Sequence, residues 1–358
     1  MTADRSYLGR SFCFIKDNFL EGSPLNTRPF WGPQMNTKSL AFNDIVSHAS
    51  ALDAWSQYYD QLSPGRFEGW LQDLQLPGGL RIFRERMSSR VAQHTLPPPD
   101  TVNLLIPLCL RSEPDPESHA LLPDALTLLP LASEFFFCTP PDTDYVVVSM
   151  DLSMLERLLT PQDLELFLKR PRGYALRSQP APLAGLRRWC VRLLEVAHAE
   201  AQPPSSTDLS PLIRDEIVYR LLEGLDGSTA FGVRRSRLRT LDSSHSYLVR
   251  YCHEKVLDTP EPIGVLGLCR ELKVPRRTLA YAFERVTGMP PTQYLRAVRL
   301  NAADRSLHQD ATCNLGDLSY TLGFTHASHF GREYKKLFGR TPSECRATQG
   351  AARPRFDH

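Results

Sequence analysis

The chain has 358 residues, of which 42% are hydrophobic and 23% charged. That composition excludes wholesale disorder, and the length predicts two or three domains. The formal charge of +2 conceals a split: residues 1–233 carry 21 Lys and Arg against 28 Asp and Glu, while residues 234–358 carry 21 against 12. An acidic front joined to a basic back is the charge pattern of a chain whose C-terminal part meets a polyanion.

Residues 1–39 show little periodicity and are left unassigned. Asp4, Arg5, Arg10, Lys16 and Asp17 interrupt any signal-peptide core there. No apolar run approaches the ~20 residues of a membrane helix, so a cytoplasmic protein without a membrane partner is expected.

Residues 40–155 are predicted to form a β-rich domain. Phe42–Leu62 reads as one or two helices, with Trp55, Tyr58, Tyr59 and Leu62 spaced by three and four. Short strands follow: one around Phe67–Leu76, one from Leu80 to Arg86, then Val102–Leu110, Ala125–Leu131 and Tyr145–Ser149, separated by Pro- and Gly-rich breaks. Strands with such punctuation predict a β-barrel or jelly-roll-like fold. Arg81, Arg84, Glu85 and Arg86 read as the solvent face of one strand. Trp55, Tyr58, Tyr59, Phe83, Phe135 and Phe137 are candidates to line a ligand pocket, or are plain core.

From Leu152 the period becomes helical, and residues 156–226 read as a helical dimerisation region. Leu183, Leu186, Trp189, Cys190, Leu193, Leu194 and Ala197 form one apolar face, and Leu212, Ile213, Ile217, Leu221, Leu222 and Leu225 another, as in an antiparallel helix pair that either dimerises or packs on the β-rich domain. Residues 227–244 are a linker with the basic run Arg234, Arg235, Arg237 and Arg239, either a solvated tether or a phosphate-contacting arm.

Residues 245–348 contain two helix-turn-helix patterns about 50 residues apart, followed by a tail at 349–358. In the first, Lys273-Val274 make the turn and Pro275 opens a helix with Leu279, Ala282, Phe283 and Val286 inward. Arg276, Arg277, Thr278, Ala280, Tyr281 and Arg285 point outward, and adjacent arginines at a helix N-terminus suit a major groove. A long helix around Tyr294–Leu307 leads to the second pattern. There Gly323-Phe324-Thr325-His326 is the turn, the next helix runs from about Ala327 to Leu337, and Ser328, His329, Gly331, Arg332, Lys335 and Lys336 lie outward.

Eight cysteines stand at 13, 109, 138, 190, 252, 269, 313 and 345, with no C-x-x-C, and read as free, mostly buried thiols. His326 and His329 have no carboxylate or Cys at ligand spacing, so no metal is expected. No nucleophile elbow, phosphate loop or paired catalytic carboxylates are present, and no cofactor or enzymatic activity is expected.

The ending Gly323-Phe324, Phe330, Tyr334-Lys335-Lys336-Leu337-Phe338-Gly339-Arg340-Thr341-Pro342 and Arg346 resembles that of the AraC/XylS family of bacterial transcription regulators. The resemblance implies an α+β protein. An effector-sensing domain, the β-rich residues 40–155 with a helix pair, precedes an all-α domain, whose two helix-turn-helix units are joined by a long helix. It implies base reading by Arg277, Ala280 and Tyr281 and by Ala327, Ser328, Gly331 and Arg332, with Arg276, Thr278, Thr325 and His326 nearby. His329, Lys335 and Lys336 would meet phosphate. The partners implied are double-stranded promoter DNA, RNA polymerase, a small-molecule effector and a second copy in a homodimer.

Patches at Ala54-Trp55, Tyr58–Gly69, Thr139-Pro140, Asp142–Val147, Arg276–Leu279 and Arg299–Ala302 are similar to the ethanolamine-operon regulator subgroup, which would make the effector an amine or amino alcohol. A constitutive DNA-binding protein, whose front domain only dimerises or contacts polymerase, is the alternative.

Overall fold

A period of two governs the front of the chain and builds two antiparallel sheets. The computed structural model describes residues 35–110, 121–170, 172, 175–199, 209–226, 229–230, 244–259, 262–310, 312–324 and 326–352. The basic run at 234–239, Thr325 and the tail beyond residue 352 lie outside the described residues.

The front contains β1 (Asn36–Phe42), α1 (Ile45–Ala49), β2 (Ser56–Gln61), β3 (Gly69–Leu76), β4 (Leu80–Met87), β5 (Val91–Leu96), β6 (Thr101–Leu110), β7 (Ala125–Leu128), β8 (Phe135–Thr139) and β9 (Thr143–Asp151). After α2 (Leu152–Leu158) and α3 (Pro161–Leu168) come β10 (Ala175–Arg177), α4 (Pro180–Ala199), α5 (Ser210–Asp226) and β11 (Thr229–Ala230). The larger sheet has the order β1-β3-β4-β9-β6-β7-β10-β11 and the smaller β2-β5-β8. Because β1 and β11 end the larger sheet as edges, the strands stack as two open sheets and do not close into a barrel.

Two local expectations are corrected. Phe42–Leu62 holds only one short helix, N-capped by the Asp44 side chain, which accepts from the Ser47 amide at 2.7 Å. Trp55 then precedes strand β2. A spacing of four is even, so it keeps residues on one face of a strand as well as of a helix. Trp55 and Tyr59 therefore share one side, and Tyr58 and Leu62 the other. Likewise Arg81 and Glu85 are buried rather than on a solvent face.

The small sheet is covered on both sides. Tyr59, Val91, Phe135 and Phe137 pack toward Leu71, Phe83, Leu105 and Val147 of the large sheet. Leu62, Ala92, Phe136 and Cys138 face the helical domain. The far face of the large sheet, with Leu74, Ile82, Leu104, Val146 and Val148, is covered by α4 and α5 through Leu186, Cys190, Leu194, Ile217 and Leu221. The apolar stripes read as dimerising thus lie against their own sheet. Among the described residues no helix is long and apolar enough to cross a membrane.

The helical domain comprises α6 (Ser244–Asp258), α7 (Val265–Leu272), α8 (Arg276–Thr287), α9 (Pro291–Gln309), α10 (Leu315–Thr321), α11 (Ala327–Phe338) and α12 (Pro342–Ala352). The pairs α7–α8 and α10–α11 are the two helix-turn-helix units, and α9 joins them. Its core, with Leu279, Phe283, Tyr294, Val298, Phe330 and Tyr334, continues without a break into the small sheet.

Polar groups cross this junction. Asp60 of β2 is fully buried and pairs with Arg305 of α9, whose guanidinium also lies over the Tyr58 ring at 5.0 Å. His94 stacks on Tyr58 at 4.4 Å and lies 4.0 Å from His253. His253 hydrogen-bonds the Tyr58 and Tyr294 hydroxyls at 3.2 and 3.0 Å. Burial pushes both imidazoles down, so they stay neutral at neutral pH.

A second ion pair joins Asp44 to His308 of α9 at 3.3 Å. Burial alone would lower the His308 pKa, but Asp44, Cys345 and Asp304 overcome it and push it up to about 10. A histidine whose pKa rises on folding contributes fully below its unfolded value, and the contribution is lost as pH rises through the folded one. His308→Gln is therefore expected to lower the melting temperature at pH 6 and to match the parent at pH 10.5. Equal deficits at both pH values would remove the ion pair as the cause.

Candidate nucleic-acid interface

The second helices of the two helix-turn-helix units, α8 and α11, share a design. In each, one face is sealed in the core and the N-terminal turn is open. In α8, Leu279, Ala282 and Phe283 are buried, while Arg276, Arg277 and Thr278 are exposed. In α11, Phe330, Tyr334, Leu337 and Phe338 are buried, while His326, Ala327, Ser328, Arg332, Lys335 and Lys336 are exposed. Three apolar positions in each pair of turns fix which residues remain outward, and those outward are short or basic.

The sequence-predicted positions are brought together as two exposed strips. Ala280 and Arg285 are half-buried, and Tyr281 is 49% exposed. The Tyr281 ring is held between His245 of α6 at 5.3 Å and the Arg285 guanidinium at 5.0 Å. A Cβ at Gly331 would meet nothing within 4 Å, so that position of α11 offers backbone and open space. His329 is half-buried and lies 3.9 Å from Glu333, which also takes Arg296 of α9 at 3.1 Å. His329 is thereby tied to the connecting helix, as the sequence alone does not reveal.

The turns differ. Gly323 takes the left-handed region (φ 81°) in the second unit, and Lys273 takes it in the first (φ 54°). Pro275 is the N-cap of α8 and supplies no side-chain hydrogen bond, so the first amides of that helix are left to solvent or to an incoming acceptor.

The groups placed elsewhere do not form a reactive centre. Trp55, Tyr59, Phe83, Phe135 and Phe137 come together between the sheets, with Trp55 edge-on to Phe83 at 5.5 Å. Tyr58 is directed to the opposite side, against His94 and His253. Near the five aromatics lies a feature the sequence reading missed: the Glu85 carboxylate, buried, accepts from Tyr59 at 3.2 Å and from Tyr145, and meets His48 at 2.9 Å. The polar letters of β4 looked like one wet face; Arg81 and Glu85 point toward the second sheet and are dry, while Arg84 is half-buried and Arg86 exposed on the other side. The described cysteines are free, and burial pushes the Cys138 and Cys190 thiols up to about 12, which leaves them unreactive. Asp304, His308 and Cys345 lie within metal-ligating reach of one another, but Arg340 sits 3.0 Å from Asp304 and Tyr334 donates to it, so that carboxylate is already neutralised.

Residues 268–348 match the model of a helix-turn-helix domain family. The chain is 32% identical over 86 residues to the transcriptional activator RhaS of Pectobacterium atrosepticum, covering 24% of this chain and 30% of that protein. It is 26% identical over 161 residues to the probable thc operon regulatory protein of Rhodococcus erythropolis, 44% of this chain and 48% of that one. The chain thus spans less than half the length of either relative. A solved transcriptional regulator of Chromobacterium violaceum, described as an AraC-type DNA-binding protein, is 28% identical and covers 30% of this chain and 92% of its own, with a TM-score of 0.27. All three are named as regulators.

Proposed function

We propose that this chain, which carries an AraC-type helix-turn-helix domain, is a sequence-specific DNA-binding regulator of transcription, acting as an activator. The observation that carries the reading is the pair of helices, α8 and α11, each with its apolar face in one core and an open basic strip on the other side. A monomer with two such helices reads successive major-groove segments of one promoter face. Arg277 and Arg332 are assigned to guanine edges, with Ala280, Tyr281, Ala327 and Ser328 beside them. Arg276, Thr278, Arg285, Thr325, His326, His329, Lys335 and Lys336 are assigned to the sugar-phosphate backbone.

The test is titration of the full chain with duplexes selected from a random pool, at several salt concentrations. Arg277→Ala is expected to cost ~1–3 kcal/mol on the selected site and to relax preference at one base pair. Lys335→Ala is expected to weaken all sequences nearly equally and to shallow the salt slope by about one unit. If the parent shows no sequence preference, the reading fails.

The effector is assigned to the β-rich front domain, as a small amine or amino alcohol. Its support is Glu85, a buried carboxylate that His48, Tyr59 and Tyr145 engage in an aromatic surround. A ligand in hundredfold excess over its dissociation constant stabilises by ~2.7 kcal/mol, so a selective rise in the melting temperature of the full chain with such amines is expected. No rise across the series would favour a constitutive regulator. A homodimer contact is assigned to the outer face of α5, where Leu212 and Tyr219 are exposed, and polymerase is the expected further partner.

A further inference from the structure

The C-terminal ends of both recognition helices are seated on the sensor domain. The last carbonyls of a helix lack intrahelical donors and carry the negative end of its dipole. At the end of α8, the Thr287 carbonyl accepts from Arg90 Nη1 at 2.5 Å. At the end of α11, the Leu337 carbonyl accepts from Gln61 Nε2 at 2.8 Å and from the Gly65 amide at 3.0 Å.

Both helices stop at a left-handed glycine, Gly288 (φ 65°) and Gly339 (φ 67°). A Cβ at Gly288 would fall 2.2 Å from Arg90 Nη1, and one at Gly339 would fall 2.6 Å from Arg66 Cγ. Each glycine thus opens the space that a sensor-domain arginine fills. Midway between the two ends, Asn301 of the connecting helix pairs with β2. Its Oδ1 accepts from the Gln61 amide and its Nδ2 donates to the Gln61 carbonyl, both at 2.8 Å. Arg90 and Gln61 stand on one rigid unit, because Leu62 N donates to the Arg90 carbonyl at 2.8 Å and Gln61 is in register with Val91.

We propose that Arg90 and Gln61 are positioning residues for DNA recognition: by holding the ends of α8 and α11 against one three-stranded sheet, they set the distance and phase between the two recognition helices. The sensor domain then fixes the spacing of the two DNA segments, beyond any contact it makes with DNA. This rests on the DNA-binding reading above.

The experiment measures affinity of the full chain for its pool-selected duplex and for duplexes in which the two contacted segments are moved apart by one base pair. The parent is expected to lose at least tenfold on the insertion. Arg90→Met combined with Gln61→Leu, which keep size but remove the donors, is expected to lose threefold or less. Arg90→Lys alone, which retains a donor, is expected to keep the parent's penalty. Where the double variant unfolds, Arg90→Met alone carries the test, with an intermediate penalty expected. Sequence-specific binding with an unchanged penalty in folded variants would overturn the proposal and leave the DNA-binding reading standing. Absence of sequence-specific binding by the parent would overturn both.

Discussion

Arg305→Met is expected to destabilise the folded protein by about 3–5 kcal/mol, the cost of leaving a buried charge uncompensated. Asp60 is 0% exposed and Arg305 12% exposed, so the carboxylate cannot turn to water when its partner is gone. His253 lies 3.6 Å from Asp60, but burial keeps its imidazole neutral and it does not replace the guanidinium. The change also strips the cation from the Tyr58 ring. Because Asp60 belongs to β2 and Arg305 to α9, the damage falls on the junction, and one unfolding transition is expected to split in two. Asp60→Leu combined with Arg305→Met should recover most of the loss, since replacing both charges by apolar groups is often neutral. A single-variant cost below about 1 kcal/mol in urea denaturation would mean that water reaches Asp60.

A loss of the same size, about 3–5 kcal/mol, is expected for Arg81→Met, with a different signature. Arg81 and Asp73 are each 1% exposed and form a bidentate pair, Nε to Oδ1 and Nη2 to Oδ2, both at 2.7 Å. Arg81 also donates to the Asp53 carbonyl at 2.7 Å. All of these groups lie in the front domain. With the junction intact, chemical denaturation should therefore show the single transition lowered as a whole, without splitting. A separate front transition at lower denaturant would mean that the two units unfold independently.

The helical domain was the most legible part of the chain. Its two turns were marked by local residues, and the buried positions of α8 follow from a period of 3.6 that the helix satisfies within its own dozen residues. The exposed first turns of α8 and α11 needed no tertiary information, whereas the half-burial of Ala280, Arg285 and His329 did. The front domain was less legible because its strands are covered on two sides. Phe135-Phe136-Phe137-Cys138 is a continuous apolar run with no alternation to read, although the structure divides it strictly, Phe135 and Phe137 to one core and Phe136 and Cys138 to another. β1 and β5 carry polar letters such as Asn36, Lys38, Gln93 and His94, which masked their strand character. The junction was invisible for a simpler reason: Asp60 and Arg305 are 245 residues apart, and no local pattern ties them.

The uninterrupted core between the small sheet and the helices bears on how this protein can be cut. The chain has a covalent seam near residue 244, where an engineer would sever it or graft another sensor. The fold has no seam there. A helical fragment would lose the cover that Leu62, Ala92, Phe136 and Cys138 give it and would present a raw apolar face. Chimeras of this chain should succeed only when the graft carries its own β2-β5-β8 wall, matched to the helices it must shelter.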